Sequence, residues 1–235
     1  MLYLESFYKA RKTYAQNAIV QKHMRHKLIE ILHLNHRVHF GHIFEFGAGG
    51  GEFTTLLCKM LQFESYISND IHNYGSSDER VEFMCFDMNT LLEQHIAKKS
   101  FDLIVSNATL QWLDFERTLC ALKQILAPNG LCLLSSFGEQ NCYEAKAITH
   151  YGLEYFSLGA MREIITKHFE IILLQEELFP LQFKSALDVF RHFQLSGVNA
   201  LSKKGYMGKR ILREYEQTFN NRLTYHPIYM LLCHK

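Results

Sequence analysis

Apolar positions along the chain follow two rhythms, and the change from one to the other marks out the elements. Over residues 14–34 they recur at helical spacing through Ile19, Leu28 and Leu32, which predicts a helix stopped at Asn35. Short unbroken apolar runs then alternate with helical stretches. Strands are expected at 43–46, 66–69, 81–86, 101–106 and 131–136, and helices at 53–61 and 115–126. Pro128, Asn129 and Gly130 form a turn signal between the last helix and strand of that series. Further on come a helix at 161–167, a strand at 170–176, helices at 186–195 and 209–219, and a last strand at 228–232. Pro227 fits only the first residue of that strand or an edge.

Strands that are apolar throughout, rather than at alternate positions, belong to a sheet covered on both faces. Repetition of the strand–helix unit predicts an α/β fold with a doubly wound, mostly parallel seven-stranded sheet whose ligand lies at the carboxyl ends of the strands. A length of 235 residues, 48% of them hydrophobic, suffices for one large domain with its own core. The formal net charge of +1 produces no global field that would demand nucleic acid. The first residues lack the order of a secretory signal, and no apolar run approaches the roughly 20 residues of a membrane span. A soluble, cytoplasmic protein is expected. Six cysteines without a CxxC pair read as free thiols, several of them buried.

The segment Ile43, Phe44, Glu45, Phe46, Gly47, Ala48, Gly49, Gly50, Gly51, Glu52 carries the chemistry. Gly47, Gly49 and Gly51 let the backbone turn sharply after a strand and approach a ligand. A dinucleotide fingerprint would place its third glycine where Glu52 stands. A carboxylate there competes with phosphate for the positive end of the following helix, which argues against nucleotide phosphates. S-adenosylmethionine has no phosphate and carries an ammonium and a sulfonium, and Glu45 is a suitable counterpart for its amino acid end. Asp70, closing the second strand, has two oxygens for two ribose hydroxyls, or is a turn residue. Asp87, closing the third, can accept from the adenine amino group, or cap a helix near Thr90.

The run Phe101, Asp102, Leu103, Ile104, Val105, Ser106, Asn107, Ala108, Thr109, Leu110, Gln111, Trp112 resembles the fourth-strand motif of class I S-adenosylmethionine-dependent methyltransferases. Its Leu-Gln-Trp ending, together with Phe7, Ala10, Tyr14, Ala18 and Gln21, Phe137, Leu187, Arg191, Gly197 and Leu201, and the run Leu223, Thr224, Tyr225, His226, is similar to the malonyl-[acyl-carrier protein] O-methyltransferase family. The likeness spans nearly the whole chain. The departures are Glu45 for the usual aspartate, Gly50 for threonine or proline, Lys9 for arginine, and Gln194 for a frequent lysine.

What the resemblance implies is a Rossmann-like methyltransferase of biotin synthesis that esterifies the free carboxylate of a malonyl thioester on acyl carrier protein. A small free acid, such as an aconitate-like molecule, is the alternative acceptor. It implies an N-terminal helical lid (1–40), a cofactor-binding core (41–177), a helical insertion capping the substrate (178–222) and a last strand (223–235). Cofactor contacts fall on Glu45, Gly47, Gly49, Gly51, Asp70, Ile71, Asp87, Met88, Asn107, Tyr14 and Gln21, and substrate contacts on Arg191, Trp112 and Tyr14. A carboxylate is already ionised at neutral pH, so no general base is nominated. Arg191 would grip it bidentately, or be a solvated helix-face arginine. Trp112 and Tyr14 have packing roles as their plain alternatives. Lys203, Lys204, Lys209, Arg210 and Arg213 form a basic stretch suited to an acidic carrier protein, or a solvated face. His33, His36, His39 and His42 cross an expected helix end, share no face and suggest no metal site.

Overall fold

The computed structural model describes residues 17–196 and 208–235. Seven strands form one sheet: β1 (His39–Phe46), β2 (Gln62–Asp70), β3 (Val81–Cys85), β4 (Phe101–Ser106), β5 (Leu126–Phe137), β6 (Phe169–Glu176) and β9 (Pro227–His234). Their order is β3-β2-β1-β4-β5-β9-β6. The pairs β1–β2, β1–β4, β2–β3 and β4–β5 are parallel, and β6 runs antiparallel to β9. This is the doubly wound sheet that the continuous apolar strands require: Phe44, Phe46, Ile67, Ile104 and Leu134 are buried on it. Each such side chain contributes about 1.5–3 kcal/mol by leaving water.

Helices α1 (Ile19–Leu34), α2 (Glu52–Met60), α3 (Phe115–Ile125) and α5 (Leu158–His168) accompany the sheet. Side-chain caps start two of them: Asp114 accepts from Arg117 N at 3.0 Å for α3, and Ser157 from Ala160 N at 3.2 Å for α5. Strand β5 differs from expectation. Pro128, Asn129 and Gly130 read as a turn, yet the strand runs through them from Leu126, and its register on β4 jumps from Phe101↔Leu126 to Leu103↔Leu131. The intervening residues form a bulge. Gly130 is needed there because a Cβ would stand 2.8 Å from the Phe101 carbonyl oxygen.

The described residues fall into two compact units. The larger holds His23–Ser136, Ser157–Glu176 and Ile228–Lys235, and contains most of the sheet. The smaller takes in Phe137–Phe156 as well as Glu177–Pro227. It contains α4 (Tyr143–Thr149), α6 (Ala186–Leu195), α7 (Lys209–Phe219) and a two-stranded antiparallel ribbon, β7 (Phe179–Gln182) with β8 (Arg222–Tyr225). The ribbon was not expected from the sequence. A fully buried carboxylate fastens it: Glu144 on α4 accepts from Thr224 N at 2.9 Å and Thr224 Oγ1 at 2.6 Å, with Arg222 Nε 3.5 Å away. Phe190 meets Tyr215 edge-on at 5.4 Å, joining α6 to α7. His192 shares a hydrogen bond of 2.9 Å with the Tyr225 hydroxyl, and burial pushes its imidazole down to about 4, keeping it neutral. The cysteines are free; Cys58, Cys132 and Cys142 are buried, whereas Cys85 and Cys120 are exposed.

Candidate active site

The site is built where β1, β2 and β4 end side by side in the larger unit. Gly47, Gly49 and Gly51 all adopt positive φ, at 66°, 56° and 81°. Their surroundings assign them different tasks. A Cβ on Gly47 would fall 2.0 Å from Thr109 Oγ1, and one on Gly51 would fall 2.4 Å from Ser77, so these two allow neighbouring loops to close on the turn. A Cβ on Gly49 would meet nothing within 4 Å. That open backbone is where a ligand has room to approach.

Around it the groups are acceptors. Asp70 ends β2 and is held by two backbone donors, Gly49 N to Oδ2 at 2.9 Å and His72 N to Oδ1 at 3.0 Å. Each oxygen keeps a lone pair for a hydroxyl, and burial raises its carboxyl above the usual range. Ile71 and Met88 follow the two strand-end acids; Ile71 is half-buried and Met88 buried. Asp87 caps the 3-10 helix Met88–Glu93, its Oδ1 accepting from Asn89 N and Asn89 Nδ2, both at 2.9 Å. The capping role is therefore real, and it occupies one carboxylate oxygen. After β4, Asn107 Oδ1 accepts from Ser135 Oγ at 2.9 Å, and that hydroxyl accepts from Ala108 N at 3.0 Å. Ala108 has φ 55°, a turn that brings Thr109 against Gly47.

Glu45 is 1% exposed. Its Oε2 accepts from Thr54 Oγ1 at 2.7 Å and from the Tyr66 hydroxyl at 2.5 Å. Loss of hydration outweighs both hydrogen bonds and pushes its carboxyl up to about 7. Glu52 opens α2, placing a carboxylate at the helix end where a nucleotide phosphate would bind. An open glycine turn, two strand-end acids and a buried carboxylate fit a phosphate-free nucleoside bearing positive charge, which is the chemistry of S-adenosylmethionine.

Comparison with known proteins agrees. The Methyltransferase domain family matches residues 44–134. A malonyl-[acyl-carrier protein] O-methyltransferase from Calditerrivibrio nitroreducens is 34% identical over 234 residues, covering 97% of this chain and 94% of its own. The chain belongs to the malonyl-[acyl-carrier protein] O-methyltransferase family. A second member, from Chlorobium luteolum, is 33% identical, with 97% of this chain and 93% of its own covered. Among solved structures, YcgJ from Bacillus subtilis matches with a TM-score of 0.64 at 14% identity, over 89% of this chain and 99% of its own. The N-methyltransferase NodS from Bradyrhizobium japonicum, solved with S-adenosyl-L-homocysteine, matches at 0.55 and 13% identity, over 94% and 98%. This family member is thus an S-adenosylmethionine-dependent methyltransferase with the class I fold.

Within this methyltransferase, the larger unit gathers Glu45, Gly47, Gly49, Gly51, Asp70, Ile71, Asp87, Met88, Asn107 and Trp112. Trp112 is half-buried in the short 3-10 turn Leu110–Trp112. Gln21 and Arg191 belong to the smaller unit. Gln21 is buried on α1, and Arg191 is exposed on α6 with Nη1 3.5 Å from Asp188 Oδ1. Lys209, Arg210 and Arg213 are exposed on α7. Tyr14, Lys203, Lys204, Gly197 and Leu201 lie outside the described residues. Among the described residues no group of three or more His, Cys, Asp or Glu is placed to hold a metal, and no helix is long and apolar enough to cross a membrane. Ser135, Tyr66, Thr54 and Thr109 were missed. Ser135 left a faint signal as a polar residue ending an apolar strand; the others serve through contacts with residues distant in sequence.

Proposed function

We propose that this methyltransferase esterifies the free carboxylate of malonyl carried on acyl carrier protein, giving the methyl ester that primes the pimeloyl chain of biotin. The carrying observation is the extent of the likeness. The domain family accounts for residues 44–134, whereas the malonyl-[acyl-carrier protein] O-methyltransferases match 97% of the chain, including the late helices and ribbon that lie outside the domain family's match. The cofactor supplies a methyl group made electrophilic by its sulfonium. Asp70 holds the ribose, Asp87 the adenine amino group between Ile71 and Met88, and Glu45 supports the ammonium, with Gly47, Gly49, Gly51 and Asn107 forming the wall. Tyr14 and Gln21 close the site, Trp112 borders the acceptor, and Arg191 receives its carboxylate, leaving Asp188 to do so.

Because the acceptor is already an anion, these residues have no proton to remove. They align one carboxylate oxygen with the methyl carbon and exclude water, effects for which orientation alone supplies roughly 7–11 kcal/mol. The exposed cations Lys209, Arg210 and Arg213 on α7, with Lys203 and Lys204, offer an acidic carrier protein an attractive face. A cytoplasmic setting fits an enzyme whose partner is a biosynthetic carrier. The test is mass detection of a methyl ester after mixing the enzyme with S-adenosylmethionine and either malonyl carrier protein or free malonate and aconitate. Ester on the carrier protein, formed much faster than on any free acid, is the expected result; equal rates on a free acid would overturn the assignment.

A further inference from the structure

The Leu-Gln-Trp turn after β4 contains a side chain that none of the roles above uses. Gln111 Nε2 donates to the Ala108 carbonyl at 2.6 Å. A carbonyl can only accept, so this bond fixes which end of the amide is nitrogen and which is oxygen. The remaining atom, Gln111 Oε1, is buried and has no hydrogen-bond partner among the described residues. Buried acceptors of this kind are rare, because each forfeits its hydration and receives nothing in return.

Its location narrows what donor it is made for. Gln111 sits two residues from the Thr109 side chain that covers Gly47 and three from Ala108, whose positive φ turns the chain toward the glycine loop. Glu45 on β1 is in register with Val105 on β4, so the two strands deliver Glu45 and the 107–111 turn to the same edge of the sheet. The ligands brought here carry few donors. The ribose hydroxyls and adenine amino group are assigned to Asp70 and Asp87, and the acceptor carboxylate has no hydrogen to give. What is left is the cationic end of the cofactor: an ammonium with three N–H bonds, and a sulfonium whose methyl hydrogens are polarised. Glu45 has its Oε2 taken by two hydroxyls, which leaves Oε1 to face an ammonium with three N–H bonds, so further acceptors are needed.

We infer that Gln111 is a cofactor-binding residue whose Oε1 accepts from the cationic amino acid end of S-adenosylmethionine. It is a neutral acceptor beside a buried carboxylate, adding a hydrogen bond without adding charge that would repel the incoming malonyl carboxylate. This rests on the cofactor's amino acid end lying at this edge, and is independent of which acid is methylated.

Calorimetric titration of wild type and Gln111→Met with three ligands tests it: S-adenosylmethionine, S-adenosylhomocysteine, and 5′-methylthioadenosine, which lacks the amino acid end. Weakening of the first two by about tenfold, with 5′-methylthioadenosine within about twofold of wild type, is expected for a lost hydrogen bond to a charged donor. Loss on both amino acid ligands identifies the ammonium as donor, and loss on S-adenosylmethionine alone identifies the sulfonium methyl. Unchanged affinities, or equal losses on all three ligands, overturn the inference. Gln111→Leu, checked by thermal melting, serves if the methionine variant folds poorly. Asp70→Ala should weaken all three ligands; if it weakens none, the fault lies in the cofactor's placement rather than in Gln111.

Discussion

Among the described residues each unit buries one glutamate, and the two are kept in opposite ways. Glu144, in the smaller unit, is surrounded by donors from its own fold: the Thr224 amide and hydroxyl, and the Arg222 guanidinium at 3.5 Å. Glu45, in the larger unit, receives only the neutral hydroxyls of Thr54 and Tyr66, with no cation paired to it among the described residues, and burial pushes it up to about 7. A buried carboxylate with its own cation is a fastening. One without a cation is an incomplete pair, and under the proposed function the ammonium of the cofactor is the charge that would complete it.

Breaking the fastening should have the largest effect. Glu144→Ala leaves the Thr224 amide buried without an acceptor, and should cost about 3 kcal/mol of folding stability in denaturant titration. If stability is unchanged, the ribbon is held by packing alone. Glu45→Gln keeps an acceptor for both hydroxyls but removes the charge, so cofactor affinity should fall by about 2 kcal/mol in a calorimetric titration. Stability should behave oppositely there, because a neutral amide escapes the penalty of burying an anion.

The pH dependence follows from the same contrast. Between 4.5 and about 7 the folded, ligand-free chain retains a proton on Glu45 that the unfolded chain has released. This group therefore stabilises the fold relatively less as pH rises through that window. Ligand binding has the reverse sign: a bound ammonium favours the ionised carboxylate, so S-adenosylhomocysteine should bind more tightly as pH rises toward about 7, by at most about tenfold per unit, then level off. Fluorescence titrations across this range should give a flatter profile for Glu45→Gln; an equal slope would remove Glu45 from the cofactor site. The smallest effect is expected of Arg222→Met, a thermal melt shifted far less than by Glu144→Ala, since its side chain is half exposed and screened by water.

The legibility of these features in the sequence follows their range. Residues 101–106 form a strand as expected because a segment buried on both faces is apolar throughout, a property it carries alone. Helices α6 and α7 likewise keep their expected limits, 186–195 and 209–219, since helical periodicity and the Ser185 cap are local. The ribbon could not be read that way: Phe179, Pro180, Leu181 and Gln182 are too few to show alternation, and their partners begin at Arg222. Pro128, Asn129 and Gly130 carry every turn signal, but pairing with β4 on both sides of them turns the segment into a bulge. For the candidate site, the glycines and strand-end acids could be nominated from position alone. The tasks of Gly47 and Gly51 could not, because they depend on Thr109 and Ser77. Nor did the capping bond of Asp87 decide between its two readings, since one carboxylate has oxygens enough for both.

The bond between Glu144 and Thr224 joins residues 80 positions apart. During folding, that carboxylate must be desolvated by groups that reach it only after a long loop has closed, an entropic cost that a bond between near neighbours does not carry. The same distance constrains attempts to graft the late helices and ribbon onto another methyltransferase. Transplanting residues 178–222 alone would leave behind both Glu144 and Thr224, so a working chimera must also carry the segment after β5 and the start of the run that leads into β9.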